Sequence, residues 1–283
     1  MFAAISPSDR DADVVPIAPP LPRSFGALDI AFVRRNGKTS AERVFQSGVL
    51  RSRFPNVARD RAPEAVLINT AGGLTGGDLV TTNIEMGEAS HALVTTQAHE
   101  KVYRALWGEA SVASTLKLGA RSRLDWLPQP TILFDRARLC RETRVVMAAD
   151  AVFLGVESVI FGRTAMGETM KTGLLCDRWM IERDGVPIHA DCFEVAGDVA
   201  ELLARPSVLA GNAAMATLRY VAPDAEDRLS EMRDLVAESG GASAWNGMLL
   251  MRLVAADGYR LGHALSRVLV GLRRTPLPPV WNI

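Results

Sequence analysis

The densest run of groups able to do chemistry is Thr95-Thr96-Gln97-Ala98-His99-Glu100-Lys101-Val102-Tyr103-Arg104. His99, Glu100, Lys101 and Arg104 together supply the parts of an acid–base site, and His99 is also a metal ligand by type. At a strand end the same residues make a solvated loop or a structural ion-pair group, and spacing alone favours that plainer reading. A second candidate is Ala71-Gly72-Gly73-Leu74-Thr75-Gly76-Gly77-Asp78, which follows a strand over Ala65–Asn69. A phosphate-binding loop ends in Gly-Lys-Ser/Thr and opens a helix. Here Asp78 would repel phosphate, and Leu79-Val80-Thr81 continues as strand. The run therefore reads as a turn needing positive φ at several positions, with Asp78 hydrogen-bonding the loop.

Metal donors are sparse. The chain has four histidines (His91, His99, His189, His263) and three cysteines (Cys140, Cys176, Cys192), with no CxxC pair and no closed zinc-site spacing. On an alternating strand His189 and Asp191 share one face, and Cys192 falls on the other. A divalent transition-metal ion accepts imidazole, thiolate and carboxylate, so a permanent site is not expected but transient contacts are compatible with the donors. Glu157, Glu168 and Asp177 are the acids to consider as a hydrolase pair, although strand-edge acids of this kind are usually solvated. No nucleophile sits in a recognisable elbow.

The elements that must position these groups are mostly strands. Ala31-Phe32-Val33, Asn36-Gly37 and Val44-Phe45 read as a hairpin around a tight turn. Met86-Gly87-Glu88-Ala89-Ser90, Leu118-Gly119-Ala120-Arg121-Ser122 and Met147-Ala148-Ala149-Asp150-Ala151 share one pattern, at offsets of 118 − 86 = 32 and 147 − 118 = 29. A period near 30, with a turn and two strands per unit, predicts stacked β layers. Leu174 to Glu194 reads as a further hairpin turning at Asp184-Gly185. Beyond it, Asp198 caps a short helix, Asp224 to Glu238 has helical spacing, and Met248 to Val254 is a buried strand or a short core helix. Tyr259 to Arg273 puts Leu261, Leu265, Val268, Leu269 and Leu272 on one helical stripe. The expected fold is mainly β: a layered, solenoid-like body with two or more C-terminal helices. Residues 1–23, rich in Pro and Asp, are expected as a flexible tail. Residues 24–283 form one domain, with the β body over about 24–197 and helical additions over about 198–283.

Lys plus Arg balances Asp plus Glu at 32 each, so the chain lacks the footprint of a nucleic-acid or anionic-membrane binder. No apolar run is long enough for a membrane span and no secretory signal opens the sequence, while three sparse cysteines suit a reducing compartment. The expectation is a cytoplasmic protein with no convincing active site.

The motifs resemble those of the UreD (also called UreH) family of urease accessory proteins. Ala71–Asp78 is similar to its PGGLxGGD block, Thr95–Arg104 to TTQxxxKxYR, Trp126–Asp135 to WLPQExIxF, and Gly162–Glu168 to GRxAxGE. Asp177-Arg178-Trp179 follows at the family's distance, and Pro276 and Trp281 fit a looser tail. Departures fall at Asn69-Thr70-Ala71 and at Pro130. The resemblance implies a non-catalytic scaffold or chaperone that, with UreF and through it the GTPase UreG, binds apo-urease and helps deliver nickel. GTP hydrolysis would then belong to UreG, no cofactor would be tightly bound, and nickel would be held transiently. Asp78 and Glu168 are the acids expected on the nickel route, with Tyr103 and Arg104 nearby. Gly72, Gly73, Gly76, Gly77, Lys101, Gly162, Arg163 and Gly167 are the remaining motif positions. The two C-terminal helices either cover the end of the β body or present a surface to a partner, and in the second case they are the expected surface for UreF. The other classes weighed are a β-solenoid carbohydrate-active enzyme, which needs a groove of stacked aromatics and paired carboxylates, and a metal-independent β scaffold.

Overall fold

The computed structural model describes residues 23–58, 61–163 and 166–282. The expected flexible tail, Arg23 apart, lies outside the described residues. In chain order the strands are β1 (Phe25–Arg35), β2 (Lys38–Gly48), β3 (Leu50–Arg53), β4 (Glu64–Asn69), β5 (Leu79–Met86), β6 (His91–Thr96) and β7 (Glu100–Val102). There follow β8 (Ala110–Leu118), β9 (Arg123–Leu127), β10 (Thr131–Leu133), β11 (Arg138–Met147), β12 (Val152–Phe161), β13 (Thr172–Arg183) and β14 (Val186–Asp198). Helix α1 (Val199–Ala204), β15 (Ala214–Val221), α2 (Leu229–Val236), β16 (Gly240–Trp245), β17 (Met248–Ala255) and α3 (Gly258–Arg273) complete the chain.

The strands form two sheets. The first runs β14-β13-β11-β8-β5-β1-β2, and the second β16-β17-β15-β12-β9-β6-β4-β3, with β10 and β7 branching from β12. Pairing is parallel from β1 through β5, β8 and β11 to β13. It is also parallel from β4 through β6 and β9 to β12. The chain alternates between the sheets as it climbs, so the body is a stack of coils, as the repeat predicts. The three copies coincide in space: Met86 pairs with Leu118 and Leu118 with Met147. Each turn also bonds to the coil before it. Gly87 N–H donates to Phe32, Gly119 to Met86 and Ala148 to Leu118, at 2.8, 2.8 and 3.0 Å. Glycine suits the second of these positions because a Cβ on Gly119 would stand 2.9 Å from the Met86 carbonyl oxygen.

The sequence elements form largely where the patterns put them. Asn36-Gly37 and Asp184-Gly185 take positive φ and close the β1–β2 and β13–β14 hairpins. Asp198 caps α1 by accepting Glu201 N–H at 2.9 Å. Met248–Ala255 is a strand, settled by its antiparallel partners β15 and β16. The helix expected over Asp224–Glu238 is shorter, because Asp224 accepts the Tyr220 hydroxyl at 2.8 Å and the helix begins only at Leu229, without a side-chain cap. Residues after 198 thus contribute strands β15–β17 as well as helices.

Two cores result. One fills the space between the sheets and includes Phe32, Leu116, Leu124, Phe153 and Trp179. The other lies on the far side of the second sheet, where Leu261, Leu265, Val268, Leu269 and Leu272 of α3 pack with Leu218, Met251 and Met232. The predicted apolar stripe is therefore spent on covering that sheet. Among the described residues no helix is long and apolar enough to cross a membrane.

Candidate functional site

The sequence blocks singled out above are successive copies of one corner of the coil. Leu74 bridges Val102, Val102 pairs with Leu133, and Leu133 pairs with Phe161, all in parallel and all buried. The glycine-rich loop, the Thr95–Arg104 run, the strand β10 and the end of β12 leading into Gly162 stack there one above another. Side chains tie the stack together. The Tyr103 hydroxyl donates to the Gly72 carbonyl at 3.1 Å, and its ring meets Phe134 edge-on at 4.9 Å. Arg163 lies over the Phe134 ring at 4.4 Å and pairs with Glu168. Gly73 has φ +153°, and a Cβ there would stand 2.3 Å from the Tyr103 ring, so this close approach admits only glycine.

Beneath the corner a cavity of about 320 Å³ runs between the sheets. Its mouth is framed by Gly72, Gln97, Ala98 and Lys101, all exposed, with His99 and Glu100 half-buried beside them. Burial pushes the Glu100 carboxyl up, against two hydrogen bonds from Asn69 at 3.2 Å. Burial, followed by the charge of Lys101, pushes His99 down. Both groups are thereby biased towards the neutral form. One inner wall is a ladder of hydroxyls, Thr82, Ser114 and Thr143, each in register with the next on β5, β8 and β11.

At the inner end stand Arg141 and Glu157, 7% and 6% exposed. Arg141 forms a bidentate pair with Asp177 (3.1 and 2.9 Å), bonds Thr131 at 3.1 Å and meets Glu157 at 2.6 Å. Burial pushes Glu157 up to about 8, with Arg141 pulling the other way and Asp177 adding to the rise. Glu157 and Asp177 also border a second void of about 10 Å³, roughly the space of one water, with Asp191, Arg219 and Arg252 on its other side. Arg219 bonds His189 at 3.1 Å and Asp191 at 2.9 Å and lies over the Trp179 ring, and Arg252 reaches Asp191 from the surface. Burial and Arg219 hold His189 down at about 4, so it is neutral. Polar groups are therefore spaced across the sandwich, from Glu100 at the mouth to Arg252, as a file set among apolar side chains such as Val112 and Leu139.

Asp78 and Glu168 do not line this cavity. Asp78 is 5% exposed and accepts the backbone N–H groups of Ser24 and Thr75, each at 2.8 Å. Glu168 accepts Asp135 N–H at 3.2 Å besides its pair with Arg163. Both carboxylates tie tight turns. Gly72 and Lys101 are at the mouth, Tyr103 is one layer away, and the Arg104 carbonyl accepts the Thr75 hydroxyl at 3.0 Å. Glu157 and Asp177, expected to be solvated, are instead buried or nearly so around Arg141, because both sit at inward positions of their strands. The inner file had a legible signal: Arg141 shares parity with Leu139, Val145 and Met147, and Asp177 with Leu175, Trp179 and Ile181. Trp126 and Trp179 are buried, as expected, and so offer no sugar-stacking platform.

Comparison with known proteins agrees with the corner motifs. Residues 24–282 match the family model described as UreD urease accessory protein. A protein of Rhizobium leguminosarum bv. viciae named urease accessory protein UreD is 48% identical over 92% of this chain and 96% of its own length. Proteins of the same name from Agrobacterium fabrum and Azorhizobium caulinodans are 45% and 44% identical, over 87% and 94% of this chain and 87% and 99% of their own lengths.

Proposed function

The chain belongs to the UreD family of urease accessory proteins, and from that premise we propose that it serves urease maturation as a conduit and scaffold for nickel. The observation that supports this is the polar file through an otherwise apolar sandwich. A nickel ion entering at the mouth meets a half-buried imidazole and carboxylate, then hydroxyls, then the Glu157–Arg141–Asp177 cluster. Oxygen donors hold a divalent ion more weakly than thiolates or several imidazoles, which suits passage over storage. Buried charges of this kind are weak contributors to stability, so their presence asks for another role. Asp78 and Glu168 enter as the acids that hold the corner loops around the mouth. UreF, UreG through UreF, and apo-urease are the proposed partners, and the cytoplasm the proposed compartment. GTP hydrolysis is assigned to UreG, since the glycine-rich loop here is a corner turn.

The test is reconstitution of urease with and without this chain, reading nickel content and activity together with recovery of the accessory complex. Omitting the chain is expected to lower both. Glu157→Gln and Asp177→Asn are expected to lower nickel content at least several-fold while the complex is still recovered. Full nickel loading without the chain would overturn the reading. Full loading with both substitutions would remove the conduit and leave a metal-independent scaffold.

A further inference from the structure

All three cysteines of the chain, far apart in sequence, converge on the outer face of the first sheet. Cys140 on β11 is in register with Cys176 on β13, and Cys176 with Glu194 on β14. Cys192 lies two residues from Glu194 on the same face, opposite Arg178. The Cys176 and Cys192 sulfurs and a Glu194 carboxylate oxygen all lie within 4.8 Å of one another. Cys140, half-buried, is the lateral neighbour of Cys176 and close enough to interact with its thiol. The three thiols are free. This cluster faces away from the cavity, since Leu175, Asp177 and Trp179 take the inward positions of β13.

We propose that Cys140, Cys176, Cys192 and Glu194 form a binding site for a zinc-class divalent ion, separate from the polar file and independent of the maturation reading. Three sulfurs and one carboxylate oxygen are a ligand set that a borderline-soft ion takes in tetrahedral geometry, at roughly 2.3 Å to sulfur and 2.0–2.2 Å to oxygen. The ligand atoms of Cys176, Cys192 and Glu194 already lie within 4.8 Å of one another and need only side-chain rotation to close on such an ion, with Cys140, in register beside Cys176, as the fourth donor. Strands β11, β13 and β14 fix the backbone beneath them, so the site is largely organised in advance. Binding displaces the thiol protons to solvent, and the Arg178 guanidinium, which lies against the Cys192 sulfur, offsets part of the accumulated negative charge. Soft sulfur donors give this site a preference opposite to that of the oxygen-lined cavity.

The experiment titrates the reduced full-length chain with Co²⁺, a spectroscopic stand-in for Zn²⁺. One equivalent is expected to give sulfur-to-cobalt charge transfer and the strong visible bands of a tetrahedral ion, both removed by one equivalent of Zn²⁺. Cys192 is exposed, so Cys192→Ser should fold normally; it is expected to lower the charge-transfer absorption at saturating Co²⁺ by about a third and weaken Zn²⁺ binding by about tenfold or more. Glu194→Gln should weaken binding with the sulfur bands retained. Glu157→Gln should leave the spectrum unchanged, which separates this site from the cavity. The proposal fails if no thiolate band appears at one equivalent, if the band and the affinity are undiminished in Cys192→Ser, or if the thiols of the protein purified without reductant prove to be paired as a disulfide.

Discussion

The decisive residues are the charged ones placed where the strand pattern calls for apolar side chains. Arg141 is held by Asp177, Glu157 and Thr131 in the interior, and removing it would strand the nearly buried Asp177 carboxylate, a loss of roughly 3–5 kcal/mol. Glu157 gives a sharper prediction. Its carboxyl is pushed up to about 8 by burial, from an ordinary value near 4.5. The folded chain therefore keeps a proton that the unfolded chain has released. The stability this contributes is complete below the unfolded value and is lost as the pH rises through about 8. Glu157→Gln has no such proton, so its urea midpoint should vary less between about pH 5 and about pH 9 than that of the parent. An unchanged pH profile would show that Arg141 keeps the carboxylate ionised. Legibility at this scale was partial. Asp78 was readable as a turn acid, since its neighbours are the glycines that need one. The same motif logic led to Asp78 and Glu168 and not to the acids that line the cavity, because a motif marks what the corner needs for its backbone, whereas the cavity is set by inward parity on β11, β12 and β13.

At the scale of elements, the coil is specified by its turns. Ser90 and Ser122, both buried, donate to the Gly87 and Gly119 carbonyls at 2.6 and 2.7 Å, and in the next coil Ala151 fills the equivalent place. Ser122→Ala should cost only about 1 kcal/mol, the net worth of one hydrogen bond, since alanine already serves one layer away. Ser122→Leu should cost more, roughly 1–3 kcal/mol or above, because the layers on either side fix the space. Urea unfolding of the two variants would check the order, and equal losses would mean that the stack relaxes around the larger side chain. The repeat was legible because its turn residues recur with their types intact. What it could not reveal is the corner that β7 and β10 make: these are three-residue strands, too short for any periodicity, and among the described residues they pair with each other, with β12 and with the Leu74 bridge.

At the scale of the molecule, the second sheet is sandwiched between the coil interior on one side and α2 and α3 on the other. Leu265 is fully buried at the centre of that outer layer, and Leu265→Ala should cost about 2–5 kcal/mol in thermal or urea unfolding. A loss below about 1 kcal/mol would mean that α3 is only loosely applied. The apolar stripe of α3 was legible from its spacing, and covering the β body was one of the two uses it left open; which face it covers was not legible, because that depends on β15 and β17 extending the sheet beneath it. The two ends of the first sheet carry a different implication. At each end the chain doubles back, as β2 against β1 and as β14 against β13, so the outermost strand runs opposite to the coils it adjoins. A second molecule arriving at either edge finds no parallel strand to copy, and β2 offers it Lys38, Glu42 and Arg43 on largely exposed positions. The pile of layers therefore carries its own terminators, and a body built from a repeatable unit is kept from growing into a fibre.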